Sequence, residues 1–275
     1  MSIKLCLYSP PFPSTKSYYE VIDLAVEYGL SGVEGFCQYE FATPDTEAAK
    51  RIREYADSKN IVFPCFSVYV PLAADKDTTE ALKRYADVAK ILGSPYLHHT
   101  IVGECEHMDK VLPYKEELFE NGVRAVREIY DYCESIGIKA IYEEQGYIFN
   151  GVEEYGRFLE SVDRPVGVVA DFANIYESKD GLSDFLKAYG QRAVHAHIKD
   201  VTMTADNPDG TGLESMTGKY MHEAEVGKGI VNIKEAVTTL KSFGYDGYYG
   251  LEFSAREDNS TFIANCIKYI EESVR

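Results

Sequence analysis

Tryptophan is absent from this 275-residue chain and basic residues are scarce, with 28 lysines and arginines against 45 aspartates and glutamates and a formal net charge of −17. Such acidity opposes a polyanionic partner, because binding a phosphate backbone draws its energy from Lys and Arg displacing counterions. No nucleic-acid partner is therefore expected. No run of apolar residues nears the roughly 20 that span a bilayer. The short apolar stretch at the start runs into Pro10 and Pro11 without a small-residue cleavage site, so no membrane association and a cytoplasmic location are expected. The six cysteines (6, 37, 65, 105, 133 and 266) form no C-x-x-C pair, which fits reduced thiols rather than a disulfide framework or zinc knuckle. No Pro/Gly/Ser-rich linker, charge block or low-complexity tract divides the chain, so a single domain over 1–275 is expected.

What is present is a regular alternation. Short β-branched runs at Ile3–Tyr8, Gly32–Phe36, Ile61–Val70, Pro95–Ile101, Lys139–Glu143, Gly167–Asp171, Ala193–Lys199 and Tyr248–Phe253 read as strands. Helical periodicity lies between them, near 17–28, 44–59, 76–92, 113–136, 152–161, 181–190, 232–243 and 259–274. Gly29, Gly93, Gly137 and Gly244 each follow a helical run, as helix-ending residues should. Eight such repeats predict an α/β chain folded as a single (β/α)8 TIM barrel. The rival, a doubly wound open sheet, is weakened by the lack of a G-x-G-x-x-G turn after the first strand. Chemistry in a barrel belongs at the carboxyl ends of the strands. The long polar stretch at about 201–229, after the seventh strand, is therefore expected to be an active-site loop, a lid or substrate wall.

Four strands end on side chains able to bind a metal: Glu143, Asp171, His197 and Glu252. Side chains alternate along a strand, so if Tyr142, Leu251 and Phe253 pack under the helices, Glu143 and Glu252 turn toward the barrel axis. Val169 shares a face with Asp171. His195, His197 and Lys199 share another, with Val194, Ala196 and Ile198 expected to face the helices. A carboxylate in an apolar strand is costly to bury unless paired or bound to a cation. Three oxygen donors and an imidazole suit one divalent metal ion, with Mn²⁺ favoured among Mg²⁺, Co²⁺ and Zn²⁺. The alternatives taken singly are a capping role for Asp171, a satisfied core histidine at His197, and pairing of Glu143 or Glu252 with Lys199 or Arg256.

The segments Gly137-Ile-Lys-Ala-Ile-Tyr-Glu143, Val168-Val-Ala-Asp171-Phe-Ala-Asn174, His195-Ala-His197-Ile-Lys-Asp200, Val226-Gly-Lys-Gly229 and Gly244-Tyr-Asp-Gly-Tyr-Tyr-Gly-Leu-Glu252 resemble the sugar-phosphate isomerase/epimerase group, the xylose-isomerase-like barrels. Carried over by this resemblance, the metal ligands fall on the same four residues, and the proton-moving glutamates on Glu143 and Glu252. Glu34 fits a recurring glutamate of the family, with a loop-capping carboxylate as the alternative. Many members have histidine where this chain has Asn174, whose amide can bond a sugar oxygen but does not titrate near neutral pH. The long stretch offers no clear counterpart to a substrate-gripping arginine; Lys219 is the substitute.

The expected activity is a metal-dependent isomerase or epimerase acting on a small sugar or hydroxy-carbonyl compound. The metal would act as a Lewis acid on two adjacent oxygens, and Glu143 or Glu252 would remove the neighbouring carbon's proton through an enediolate. His195, Asn174, His99 and Lys199 are the expected substrate contacts, with structural packing as the alternative for both histidines and acid pairing for Lys199. Only one of His98 and His99 can face the axis, and His107 and His222 are assigned no role. Tyr8, Phe66 and Tyr69 are candidate aromatic walls. A homo-oligomer is expected. The alternatives are an inosose-type dehydratase, an apurinic-site endonuclease, which would need more histidines and a basic groove, and a non-catalytic sugar-binding barrel.

Overall fold

Alternation along each strand divides the apolar side chains into two sets. The computed structural model of the chain describes residues 3–8, 15–71, 73, 76–103, 108–208, 210–253 and 260–273. Leu5, Leu7, Val33, Val68, Leu97, Ala140, Tyr142, Val168, Ala170, Ala196, Ile198, Tyr249 and Leu251 belong to the main core, where the strands meet the helices. Cys65, Ile141 and Val169 form a separate small cluster, with Tyr96 and Val194 packed against it, and plug the lower barrel.

The strands are β1 (Lys4–Tyr8), β2 (Gly32–Phe36), β3 (Phe66–Val68), β4 (Tyr96–His99), β5 (Lys139–Tyr142), β6 (Gly167–Asp171), β7 (Ala193–Ile198), β8 (Asp200–Thr204), β9 (Leu213–Glu214), β10 (Tyr220–Ala224) and β11 (Tyr248–Leu251). Eight of them close a parallel barrel in the order β1-β11-β7-β6-β5-β4-β3-β2. The helices are α1 (Tyr18–Glu27), α2 (Thr46–Ser58), α3 (Lys76–Leu92), α4 (Met108–Val111), α5 (Lys115–Ile136), α6 (Val152–Val162), α7 (Leu182–Tyr189), α8 (Ile233–Ser242) and α9 (Ser260–Ser273). This is the TIM-barrel fold read from the sequence.

Local chemistry sets the element ends. The Asp45 carboxylate accepts the N–H groups of Glu47 and Ala48 at 2.9 Å each, satisfying donors that the first turn of α2 leaves free. Helix α5 stops at Gly137, whose φ of 81° lets its N–H turn back to the carbonyls of Cys133 and Glu134. Gly29, Gly93 and Gly244 also have positive φ. Strand β3 is shorter than expected from Ile61–Val70. Pro64 has no N–H to donate to a ladder, and Val62 makes only an isolated bridge to Gly32.

Two further expectations change. Val194 does not simply face the helices: the β6–β7 register shifts after Val168↔Ala193, resuming at Val169↔His195. The extra residue lets Val194 pack against the inner plug. The stretch expected as a loop contains a three-stranded antiparallel sheet of order β8-β10-β9. Its register, from Tyr220↔Thr204 to Ala224↔Asp200, explains how a polar segment keeps its backbone groups paired. Cys6, Cys37, Cys65, Cys133 and Cys266 are free thiols; Cys105 lies outside the described residues. Among the described residues no helix is long and apolar enough to cross a membrane.

Candidate metal centre

At the carboxyl ends of β5, β6, β7 and β11, Glu143, Asp171, His197 and Glu252 each present a donor atom, all within 4.8 Å of one another. Their meeting point is His197 Nδ1. It lies 3.1 Å from Glu143 Oε2, 3.0 Å from Glu252 Oε2 and 3.7 Å from Asp171 Oδ2. Asp171 is fully buried. Its Oδ1 accepts the N–H groups of Ala173 and Asn174 at 2.7 and 2.6 Å, as the capping expectation held, whereas Oδ2 faces the cluster with no hydrogen-bond partner.

An unpartnered buried carboxylate oxygen costs free energy unless something positive meets it. Two like charges 4 Å apart repel by about 4 kcal/mol at an effective dielectric of 20, and three carboxylates converge here. Lys199 offsets one of them: its ammonium donates to Glu252 Oε1 at 2.9 Å and to Asn174 Oδ1 at 3.1 Å. Arg256, the other expected partner, lies outside the described residues. The protonation pattern follows from this crowding. Burial disfavours a charged His197, but Glu34 and the three carboxylates outweigh it and hold the imidazolium well above its usual pKa. Burial raises Glu143 and Asp171. Glu252 falls below the carboxylate range because Lys199 and His197 overcome its burial. A site that gathers this much negative charge, with one acceptor still bare, fits a divalent cation held by one imidazole and three carboxylates.

The other side chains singled out in the sequence divide into two groups. Asn174 and Lys199 border the cluster, and Asn174 keeps a buried Nδ2 without a partner. His195 lies below the centre, 1% exposed, with Nε2 donating to Glu34 Oε2 at 2.7 Å; it touches a ligand's support rather than open space. His99 is turned away. Its Nδ1 sits 2.9 Å from the Thr100 carbonyl and its Nε2 2.8 Å from the Tyr142 hydroxyl, so the expected substrate contact is replaced by outward pairing. His98 takes the axial position, 3.7 Å from Glu143 Oε1, and lines a small cavity with Glu143, Gln145 and Phe149. His98 is thus the inward residue of the pair, and His99 takes the packing alternative. Burial lowers both histidines to about 4.

Tyr8 walls the centre, its ring 5.4 Å from that of His197. Phe66 packs outward against Phe41 and Tyr85, Tyr69 is half exposed, and Lys219 is exposed on the turn before β10. His222 bonds Thr204; His107 lies outside the described residues. Glu34 does not cap a loop. It is fully buried in the barrel between His195 and His197, a position that the inward parity of β2 would have signalled.

The small sheet is anchored from both sides. Asp200 accepts the N–H groups of Val201 and Val231 on Oδ1, at 2.9 and 3.1 Å, and those of Gly227 and Gly229 on Oδ2, at 2.8 and 2.9 Å. A Cβ at Gly229 would stand 2.0 Å from Asp200 Oδ1, which explains why Val226-Gly-Lys-Gly229 accompanies the aspartate. At the other end, Tyr147 donates to the Glu214 carbonyl and Met216 N–H donates to the Glu177 carbonyl at 2.8 Å. The Glu177 carboxyl in turn accepts Gly146 N–H at 2.6 Å, and burial lifts its pKa to about 7.

The chain and its fold are similar to those of known proteins. Over 254 residues the chain is 22% identical to an inosose dehydratase of Clostridium perfringens strain 13, covering 88% of this chain and 84% of that protein. The structure of the IOLI protein with a bound zinc atom has a TM-score of 0.77 at 18% identity, over 99% of this chain and 98% of that one. A D-allulose 3-epimerase from Methylomonas sp. has a TM-score of 0.75 at 16% identity, over 98% of each chain. Residues 22–272 match the family model of the xylose isomerase-like TIM barrel, and the chain belongs to that family.

Proposed function

We propose that this protein is a metal-dependent isomerase or epimerase of a small sugar or hydroxy-carbonyl compound. The observation that carries the reading is the convergence of Glu143, Asp171, His197 and Glu252 around a point where Asp171 Oδ2 has no partner. These four would hold one divalent ion, with Mn²⁺ favoured by the carboxylate majority. When bound, the ion supplies positive charge for the substrate oxygens on which negative charge grows as the adjacent carbon loses its proton.

The protein's side chains do the rest. Strands β5 and β11 are separated in the barrel by β6 and β7, so Glu143 and Glu252 approach from different sides. One takes the proton from the carbon beside the carbonyl. Return to the opposite face of that carbon gives an epimer, and return to the former carbonyl carbon gives an aldose–ketose isomer. The Lys199 ammonium and the free Nδ2 of Asn174 are donors for substrate oxygens. Tyr8 supplies an apolar wall. The likeness to an inosose dehydratase supports a second reading with the same first step, in which a hydroxyl on the next carbon then leaves as water.

Deuterium wash-in tests the proposal. Mn²⁺-loaded protein in heavy water should place deuterium on the carbon next to the carbonyl in one member of a panel of free and phosphorylated ketoses and inososes. An isomeric product identifies the first reading, and loss of water the second. Bound ion with no exchange across the panel would leave a non-catalytic binding barrel.

A further inference from the structure

Beneath the candidate centre lies a polar layer that neither the ligand set nor the proton transfers use. Glu34 is fully buried there and, among the described residues, meets donors from Ser67, His195 and His197. Ser67 Oγ donates to its Oε1 at 2.6 Å, and His195 Nε2 lies 2.7 Å from Oε2. His197 Nε2 stands 3.1 and 3.2 Å from the two oxygens. A carboxylate can only accept, so both imidazoles must carry a proton on Nε2.

We infer that Glu34 is a positioning residue, which holds the His197 Nε2 proton and thereby aims the Nδ1 lone pair at the cation site. The inference rests on the proposed metal centre but concerns a different atom. When a cation displaces the Nδ1 proton of the imidazolium, Nε2–H stays committed to Glu34, so the lone pair appears on Nδ1 and the ring cannot rotate without breaking the bond. This is how an outer carboxylate tunes a metal-bound histidine. The same commitment passes further. Ser67 spends its hydroxyl proton on Glu34, so its oxygen accepts from His98 Nδ1 at 3.1 Å. His98 Nε2 is left as an acceptor on the Glu143 side.

A second feature of the barrel makes room for this arrangement. Gly250 faces inward on β11, and a Cβ there would lie 2.7 Å from Glu34 Oε2 and 3.1 Å from the His197 ring. The missing side chain is therefore the space that Glu34 occupies. Cys6 also lies near Glu34 and His195 and could complete a three-donor set with them, but the direct Glu34–His195 hydrogen bond accounts for both groups without an ion.

The experiment has two readouts. Nitrogen-15 spectra of the histidine rings in wild-type protein should show a proton on His197 Nε2 both without metal and with diamagnetic Zn²⁺. Adding Zn²⁺ should remove the Nδ1 proton while the Nε2 proton stays. Absence of the Nε2 proton overturns the role of Glu34, whereas an Nδ1 signal insensitive to Zn²⁺ overturns the metal centre instead. In Glu34→Gln an amide NH2 replaces one carboxylate oxygen and the charge that holds His197 Nε2–H is lost, so Mn²⁺ affinity measured by calorimetry should fall about 10- to 100-fold. Gly250→Ala, which keeps the carboxylate but crowds it, should weaken Mn²⁺ in the same direction. A folded Glu34→Gln protein with wild-type affinity contradicts the proposal. So does a stoichiometry of two ions that drops to one in Cys6→Ser, because Glu34 would then be a ligand.

Discussion

The Lys199 ammonium lies 2.9 Å from Glu252 Oε1, while the other oxygen of that carboxylate lies 3.0 Å from His197 Nδ1. Glu252 is thus held between two cationic groups, and these outweigh its burial to keep it ionised. Glu143 goes the other way, raised by burial that its His197 contact only partly offsets. In the metal-free protein the two glutamates thus have opposite protonation tendencies, each set by its neighbours.

Replacing Lys199 with methionine removes the charge that lowers Glu252. An ionised Glu252 is present above its pKa and lost as pH falls through it, so a raised pKa moves the acid limb to higher pH. The acid limb of kcat/KM should shift upward by about 1–3 pH units. An unmoved limb would detach Lys199 from the ionisation of Glu252.

Glu143→Gln and Glu252→Gln each keep the side-chain shape but cannot accept the proton. With bound metal verified, turnover should drop about 10²- to 10⁴-fold. A variant that retains near-normal turnover removes its glutamate from the chemistry.

Glu177 offers a pH test of stability. Burial raises its folded pKa from the ordinary 4.5 to about 7. Its contribution is fully present below the unfolded pKa and is lost as pH rises toward and through 7. In metal-free protein, the stability of Glu177→Gln relative to wild type should increase between about pH 4.5 and 7 and then level off. The full change is at most about 3 kcal/mol. Denaturant midpoints across pH measure it, and a pH-independent difference would contradict the buried neutral carboxyl.

Asp200 gathers four backbone N–H groups. Asp200→Ala strands two of them in buried and two in part-buried settings and should cost about 3 kcal/mol, lowering Tm by roughly 10 °C. Limited proteolysis should then cut first between 201 and 229. An unchanged Tm would mean that the sheet is held chiefly by its contacts to Tyr147 and Glu177.

Much of this was legible because period-two alternation is a strong constraint. Tyr142 and Leu251 pack outward, which turns Glu143 and Glu252 inward, and all eight barrel strands fall within the segments expected to form them. Errors arose where parity fails or is undefined. A register shift in β7 carries Val194 to the inner plug. Adjacent histidines at the end of β4 left parity to chance, and His98 rather than His99 faces the centre. Glu34 had the right parity, but its partners come from β3 and β7, far away in sequence. The sheet of β8–β10 is not legible in the sequence because its polar residues carry little apolar alternation.

Titration of metal-free protein with Mn²⁺ is the most direct test of the centre itself. One ion should bind per chain, and Asp171→Asn, which alters the carboxylate with the bare oxygen, should weaken binding by at least tenfold while the barrel stays folded. No saturable binding by wild type, or equal affinity in the Asp171→Asn protein, would contradict a cation held by these four side chains.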